Sequence, residues 1–180
     1  MPQIQSNASG VRLRTHRAGD LGWIVYRHGV LYAKEYGYDS RFEAIVAKVA
    51  GEFLENFDPE RERCWIAERG EEILGSVMLV KKTDDTAKLR LLYLEPEARG
   101  LGLGRRLVDE CIAFAKTAGY KKITLWTQSS LVAARHIYES RGFELIESSE
   151  HADFGPREAA ETWELQLEPA GKADPSLRSG

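Results

Sequence analysis

The chain has 180 residues, of which 43% are hydrophobic and 29% charged, with a formal net charge of -3. That size suits one domain around one core, and the composition is ordinary for a globular protein. No apolar run approaches the ~20 residues that span a bilayer, no leader-like segment opens the chain, and the acidic balance lacks the basic surface of a nucleic-acid binder.

These observations lead us to expect a cytoplasmic protein with no membrane or nucleic-acid partner. Cys64 and Cys111 fall in apolar, regular segments and read as buried thiols. No Cys/His cluster has metal-ligand spacing. Residues 1–10 are polar and aperiodic, and residues 169–180 are rich in Pro, Gly, Ser and charge. Both ends read as disordered, which leaves a single domain over 11–168.

Val11-Arg12-Leu13-Arg14 alternates and predicts a short strand. Asp20 is placed to cap a helix to about Tyr36. Ser40 begins a second helix to about Phe57, with Phe42, Ile45, Val46, Val49, Phe53 and Leu54 at helical spacing. Strands are expected at Cys64–Ala67 and Ile73–Val80, joined through Arg69-Gly70-Glu71-Glu72, and then at Lys88–Leu94, stopped by Glu95-Pro96. A glycine-rich loop then opens a helix to about Ala118, with Gly119 just past its end. Ile123–Trp126 reads as a strand, Ser130 as the cap of a short helix to Ser140, and Phe143–Ile146 and Thr162–Leu167 as the last strands. The order β-α-α-β-β-β-α-β-α-β-β predicts an α/β mixed sheet with helices on both faces.

The loop Arg99-Gly100-Leu101-Gly102-Leu103-Gly104 follows a strand and opens a helix. The first helical turn carries unpaired N–H groups and the positive dipole end, which together make an anion site. Glycines allow close approach of a phosphate, and Arg99, Arg105 and Arg106 add charge. The spacing fits neither the dinucleotide fingerprint G-x-G-x-x-G nor the triphosphate loop G-x-x-x-x-G-K-[ST].

The segment from Leu92 through Gly104, with its strand, Pro96 and R-x-x-G-x-G beginning at Arg99, resembles motif A of the GNAT acetyltransferase superfamily. Ala134-Arg135-His136-Ile137-Tyr138-Glu139-Ser140-Arg141-Gly142-Phe143 resembles its motif B. Leu131 stands where many members have asparagine, which removes one side-chain hydrogen bond to the cofactor arm. The stretches 22–29 and 31–37 are similar to the acetyltransferase half of bacterial proteins in which a MarR-type winged-helix regulator precedes a GNAT domain. A stand-alone form of that domain is therefore expected.

The resemblance implies the GNAT fold, acetyl-CoA as cosubstrate and a possible homodimer. Backbone groups of Leu92, Tyr93 and Leu94 would hold the pantetheine arm. Arg99, Gly100, Leu101, Gly102, Leu103, Gly104 and Arg105 would hold the pyrophosphate. Ala134, Ile137 and Tyr138 would line the thioester end.

The implied reaction is direct attack of an amine on the thioester. An amine of pKa ~10.4 costs about 4.6 kcal/mol to deprotonate at neutral pH, so a base or a water chain is expected. Tyr138 is the candidate acid for the leaving thiolate. His151 and His28 lead the candidates for base, ahead of Glu95, Glu97, Glu147 and Asp153. Trp23, Tyr26, Tyr32, Tyr36 and Tyr38 suggest either an acceptor pocket or plain core packing. The alternative function is a non-catalytic acyl-CoA sensor.

Overall fold

The computed structural model describes residues 10–168; the ends expected to be disordered lie outside these, Gly10 apart. The elements run β1 (Arg12–Thr15), α1 (Asp20–Tyr36), α2 (Ser40–Asn56), β2 (Arg63–Arg69), β3 (Glu72–Lys81) and β4 (Thr86–Leu94). After a 3-10 turn at Pro96–Ala98 come α3 (Leu103–Thr117), β5 (Lys122–Gln128), α4 (Val132–Ser140), β6 (Glu144–His151) and β7 (Glu158–Gln166). The order of helices and strands is the expected one.

All seven strands form one sheet in the order β1-β2-β3-β4-β5-β7-β6. Only β4 and β5 pair in parallel, because α3 crosses between them. The pleat sends alternate side chains to opposite faces. Ala87 and Leu89 of β4, with Ile123 and Leu125 of β5, bury against Leu103, Leu107, Val108 and Cys111 of α3. On the other face, Met78 and Ile66 bury against Ile24 of α1 and Val49 and Phe53 of α2. Helices therefore cover both faces, and the two cysteines are free and buried. No helix among the described residues is long and apolar enough to cross a membrane.

Two capping expectations are corrected. Asp20 is the first residue of α1 rather than its cap; left-handed Gly19 precedes it. The Asp20 carboxylate instead accepts hydrogen bonds from the Arg17 N–H at 2.7 Å and from the Arg14 guanidinium. A charged donor on a neighbouring strand competes successfully with the helix's own amides. Ser130 does not cap α4, whose N-terminal boundary is Leu131 without a side-chain cap. The Ser130 N–H donates to Glu158 Oε2 at 3.3 Å, so β7 holds it. Asp39 does cap α2, accepting from the Arg41 N–H at 2.9 Å.

Candidate active site

The parallel ladder between β4 and β5 ends at the pair Leu89–Leu125, yet β4 continues to Leu94 and β5 to Gln128. The two strand ends therefore part. The local cause lies in β4. Its register with β3 shifts between Ser76–Tyr93 and Met78–Arg90, so Leu91 and Leu92 together face Val77. Leu91 adopts φ 54°, which is uncommon for a residue with a Cβ. A bulge of this kind bends its strand and leaves a residue outside the ladder. Gly75 makes room for the bend, since a Cβ there would lie 2.5 Å from the Tyr93 carbonyl oxygen.

A cavity of about 290 Å³ fills the gap between the strands. Leu92 and Leu94 of β4 and Ala134, Ile137 and Tyr138 of α4 form one side; Tyr32, Tyr36, Tyr38 and Phe42 form the other. The structure thus brings much of the expected thioester end together. Trp23 and Tyr26 are not in the wall: Trp23 packs edge-on against Tyr93, and Tyr26 is exposed. The Tyr93 side chain is buried under α1, beside His28, so only its backbone is available to the gap.

Tyr138 is buried, and its ring rests on Phe143. Its hydroxyl has no hydrogen-bond partner among the described residues, and burial pushes its pKa far above that of an ordinary phenol. It therefore keeps its proton at neutral pH and can offer it as a hydrogen bond to a leaving sulfur.

The glycine loop lies at the mouth of this gap. Gly100 (φ 80°) and Gly102 (φ 73°) take left-handed conformations, and Gly102 is the boundary residue before the first turn of α3. The first intrahelical bond there is Arg106 N–H to the Gly102 carbonyl, at 3.1 Å. The N–H groups of Leu103, Gly104 and Arg105 precede it and have no helical acceptor. Gly104 also has a packing role: a Cβ would come 2.7 Å from Ile137 Cδ1 and 3.2 Å from Leu94 Cδ1. Its bareness lets α3, α4 and the end of β4 meet. Leu101 is exposed, and Arg105 is exposed without an ion-pair partner among the described residues. Arg99 is not free for phosphate here, because it pairs with Glu35 of α1 at 2.9 Å. That pair also raises its pKa.

Neither favoured base is set up as expected. His28 lies at the cavity wall but is buried, with Nδ1 2.8 Å from the Ile24 carbonyl oxygen and its ring stacked on Tyr32. Burial lowers its pKa to about 4, too low for a useful base at neutral pH. His151 stands just behind the wall, with Nε2 2.5 Å from Gln128 Oε1 and Nδ1 accepting from the Asp153 N–H at 3.2 Å. The tautomer that fits both contacts is protonated on Nε2. Glu95 is held by Arg27 at 2.6 and 2.9 Å and is also outside the wall. Glu97 and Glu147 are exposed.

The sequence reading missed part of the wall. Lys88, Arg90, Gln128 and Leu131 line it, and Glu158 accepts from the Tyr38 hydroxyl at 2.5 Å behind it. The alternation Lys88-Leu89-Arg90 was the available signal. It placed both cations on one strand face without saying what covered that face.

The chain resembles known proteins over most of its length. The profile of the acetyltransferase (GNAT) family matches residues 31–143. An uncharacterised N-acetyltransferase of Schizosaccharomyces pombe is 29% identical over 121 residues, covering 67% of this chain and 74% of that protein. Human N-acetyltransferase 8B is 33% identical over 84 residues, covering 44% of this chain and only 37% of that protein. Among solved structures, yncA of Salmonella typhimurium, determined with its cofactor acetyl-CoA, superposes with a TM-score of 0.71 at 19% identity over 92% of this chain and 99% of that one. The parted β4 and β5, the open first turn of α3 and the match over residues 31–143 agree: this chain belongs to the GNAT acetyltransferase family and is an acyltransferase.

Proposed function

We propose that the chain transfers an acetyl group from acetyl-CoA to a primary amine by direct attack within a ternary complex. The observation that carries this reading is the gap beyond Leu89–Leu125, walled by Tyr138 and opening at the unpaired amides of α3. The residues fit the donor. The N–H groups of Leu103, Gly104 and Arg105, with the Arg105 guanidinium, suit a pyrophosphate. The edge of β4 at Leu92–Leu94 suits an amide-bearing arm. Bound acetyl-CoA supplies the activated acyl group.

This chain's own residues then hold the reactants. Bulged β4 and α4 fix the arm between them, the aromatic wall shields one side of the thioester from bulk water, and Tyr138 presents its proton to the leaving sulfur. No carboxylate lines the cavity among the described residues, so the amine's proton leaves through water toward the open rim. We further propose a domain extent of 11–168, kinship with the acetyltransferase half of the MarR-fused bacterial proteins, a cytoplasmic location and a homodimeric state.

The test is thiol release from acetyl-CoA with an amine panel, on the wild type and Tyr138→Phe. Turnover with at least one amine and a loss of about 10²-fold in kcat for Tyr138→Phe are expected. Full rate in the variant removes the tyrosine from the chemistry. No thermal shift with acetyl-CoA refutes the donor assignment. A second reading, an acyl-CoA sensor, draws on the absence of a lining carboxylate and on Leu131 at the asparagine position. It requires acetyl-CoA binding without turnover of any amine.

A further inference from the structure

Lys88 and Arg90 lie on one face of β4, in the wall of the cavity, on either side of Leu89, the last residue paired with β5. Both are partly buried, and neither side chain makes a hydrogen bond or an ion pair among the described residues. The Arg90 Nε is sealed from solvent without a partner. The neighbouring strand repeats the pattern, since Gln128 of β5 also lines the cavity and its Nε2 is buried without a partner. His151 already occupies the Gln128 Oε1, which fixes the amide so that only its donor is left over. Burial and mutual repulsion lower the pKa of Lys88, and burial lowers that of Arg90. The acidic group acting on Arg90 is Glu52, exposed on α2.

A buried donor without an acceptor is costly, and a buried unpaired charge more so. Stems laid along α2 would explain two cations whose tips reach water. They do not explain a sealed Nε, nor a second orphan donor on the adjacent strand. Lys88, Arg90 and Gln128 thus bring three donor groups to a wall that holds no side-chain carboxylate. Beside it stand Tyr32, Tyr36 and Phe42, which suit an apolar body.

We propose that the amine acceptor carries a carboxylate, received by Lys88, Arg90 and Gln128, so that the substrate class is a small amino acid with an apolar body. The inference rests on the acetyltransferase reading and adds the chemical class of its acceptor. A carboxylate supplies the acceptor lone pairs that these donors lack. It also anchors the substrate while leaving its amine free to reach the gap.

The experiment uses the full chain with acetyl-CoA and matched acceptor sets: amino acids, their carboxamides and the corresponding decarboxylated amines. Hydrogen bonds to a charged group contribute about 1.5–3 kcal/mol, so kcat/KM for the carboxylates is expected to be about 10- to 150-fold higher. In Lys88→Met and Arg90→Met, which keep the length of the stems, that ratio falls toward one through a rise in KM for the carboxylates. Amides or amines used as well as their amino acids overturn this inference while leaving the acetyltransferase reading intact. Loss of acetyl-CoA binding would instead defeat the reading beneath it. A readout without turnover is calorimetry with N-acetylglycine and N-acetylphenylalanine in the presence of CoA. At least tenfold weaker binding to Arg90→Met supports the proposal, and equal binding overturns it.

Discussion

Acid should unfold this protein partly through one histidine. His28 sits in α1 under a layer of aromatic rings, 2% exposed, with Tyr32 stacked at 5.4 Å and the Ile24 carbonyl oxygen 2.8 Å from Nδ1. Burial lowers its pKa to about 4, only partly offset by that hydrogen bond. In the unfolded chain the same ring titrates near 6.5. Above about pH 7 it is neutral in both states and contributes no slope. Below about 6.5 the unfolded chain takes up a proton that the folded chain refuses. Stability therefore falls with acid down to about pH 4, where the folded ring is protonated too. At ~1.4 kcal/mol per unit, the interval allows a loss of up to about 3 kcal/mol, a large share of a typical 5–15 kcal/mol. The assay is urea unfolding at several pH values between about 7.5 and 4, on the wild type and His28→Phe. Phenylalanine keeps the stacking and cannot titrate, and every other group titrates in both proteins. The wild type should lose up to about 3 kcal/mol more than the variant over that interval. Parallel curves would show that His28 is not held neutral. The same variant should retain the acid limb of any kcat/KM profile, because so weak a base does not set it.

Four further outcomes follow from the site. Gly75→Ala places a Cβ 2.5 Å from the Tyr93 carbonyl oxygen, a backbone atom that cannot rotate away; chemical unfolding should show a loss of about 1–3 kcal/mol, with weaker acetyl-CoA binding as β4 shifts. Arg105→Ala removes the unpaired cation at the start of α3, so acetyl-CoA affinity measured by calorimetry should fall about tenfold and become less sensitive to salt. Glu35→Gln releases Arg99 from its 2.9 Å ion pair and should tighten the same affinity, whereas no change would leave Arg99 as a tie between α1 and the loop. Tyr38→Phe deprives Glu158 of its 2.5 Å donor and should cost about 1.5–3 kcal/mol in urea unfolding, with a raised acceptor KM because the aromatic wall loosens.

Local chemistry determined a large part of this protein. Apolar spacing in α2 and α3, proline after β4, and glycines past α3 and α4 each act within one turn or one strand, so the element order could be read without a structure. The loop from Arg99 to Gly104 was legible for the same reason: the left-handed dihedrals of Gly100 and Gly102 and the unpaired amides of the helix start are local. Tertiary structure decided everything that depends on which groups lie across from one another. It gave Asp20 to Arg14 rather than to a helix cap, Arg99 to Glu35 rather than to open solvent, and Ser130 to Glu158. It withdrew His28 into a layer of rings where a proton is unwelcome, and put His151 behind Gln128. It also turned Lys88 and Arg90, which alternation alone reads as a solvated strand face, into donors on the wall of a cavity. Spacing along the chain fixes which residues share a face. For Lys88 and Arg90 the desolvation comes with α2, which folds over that face from at least thirty residues away in the chain.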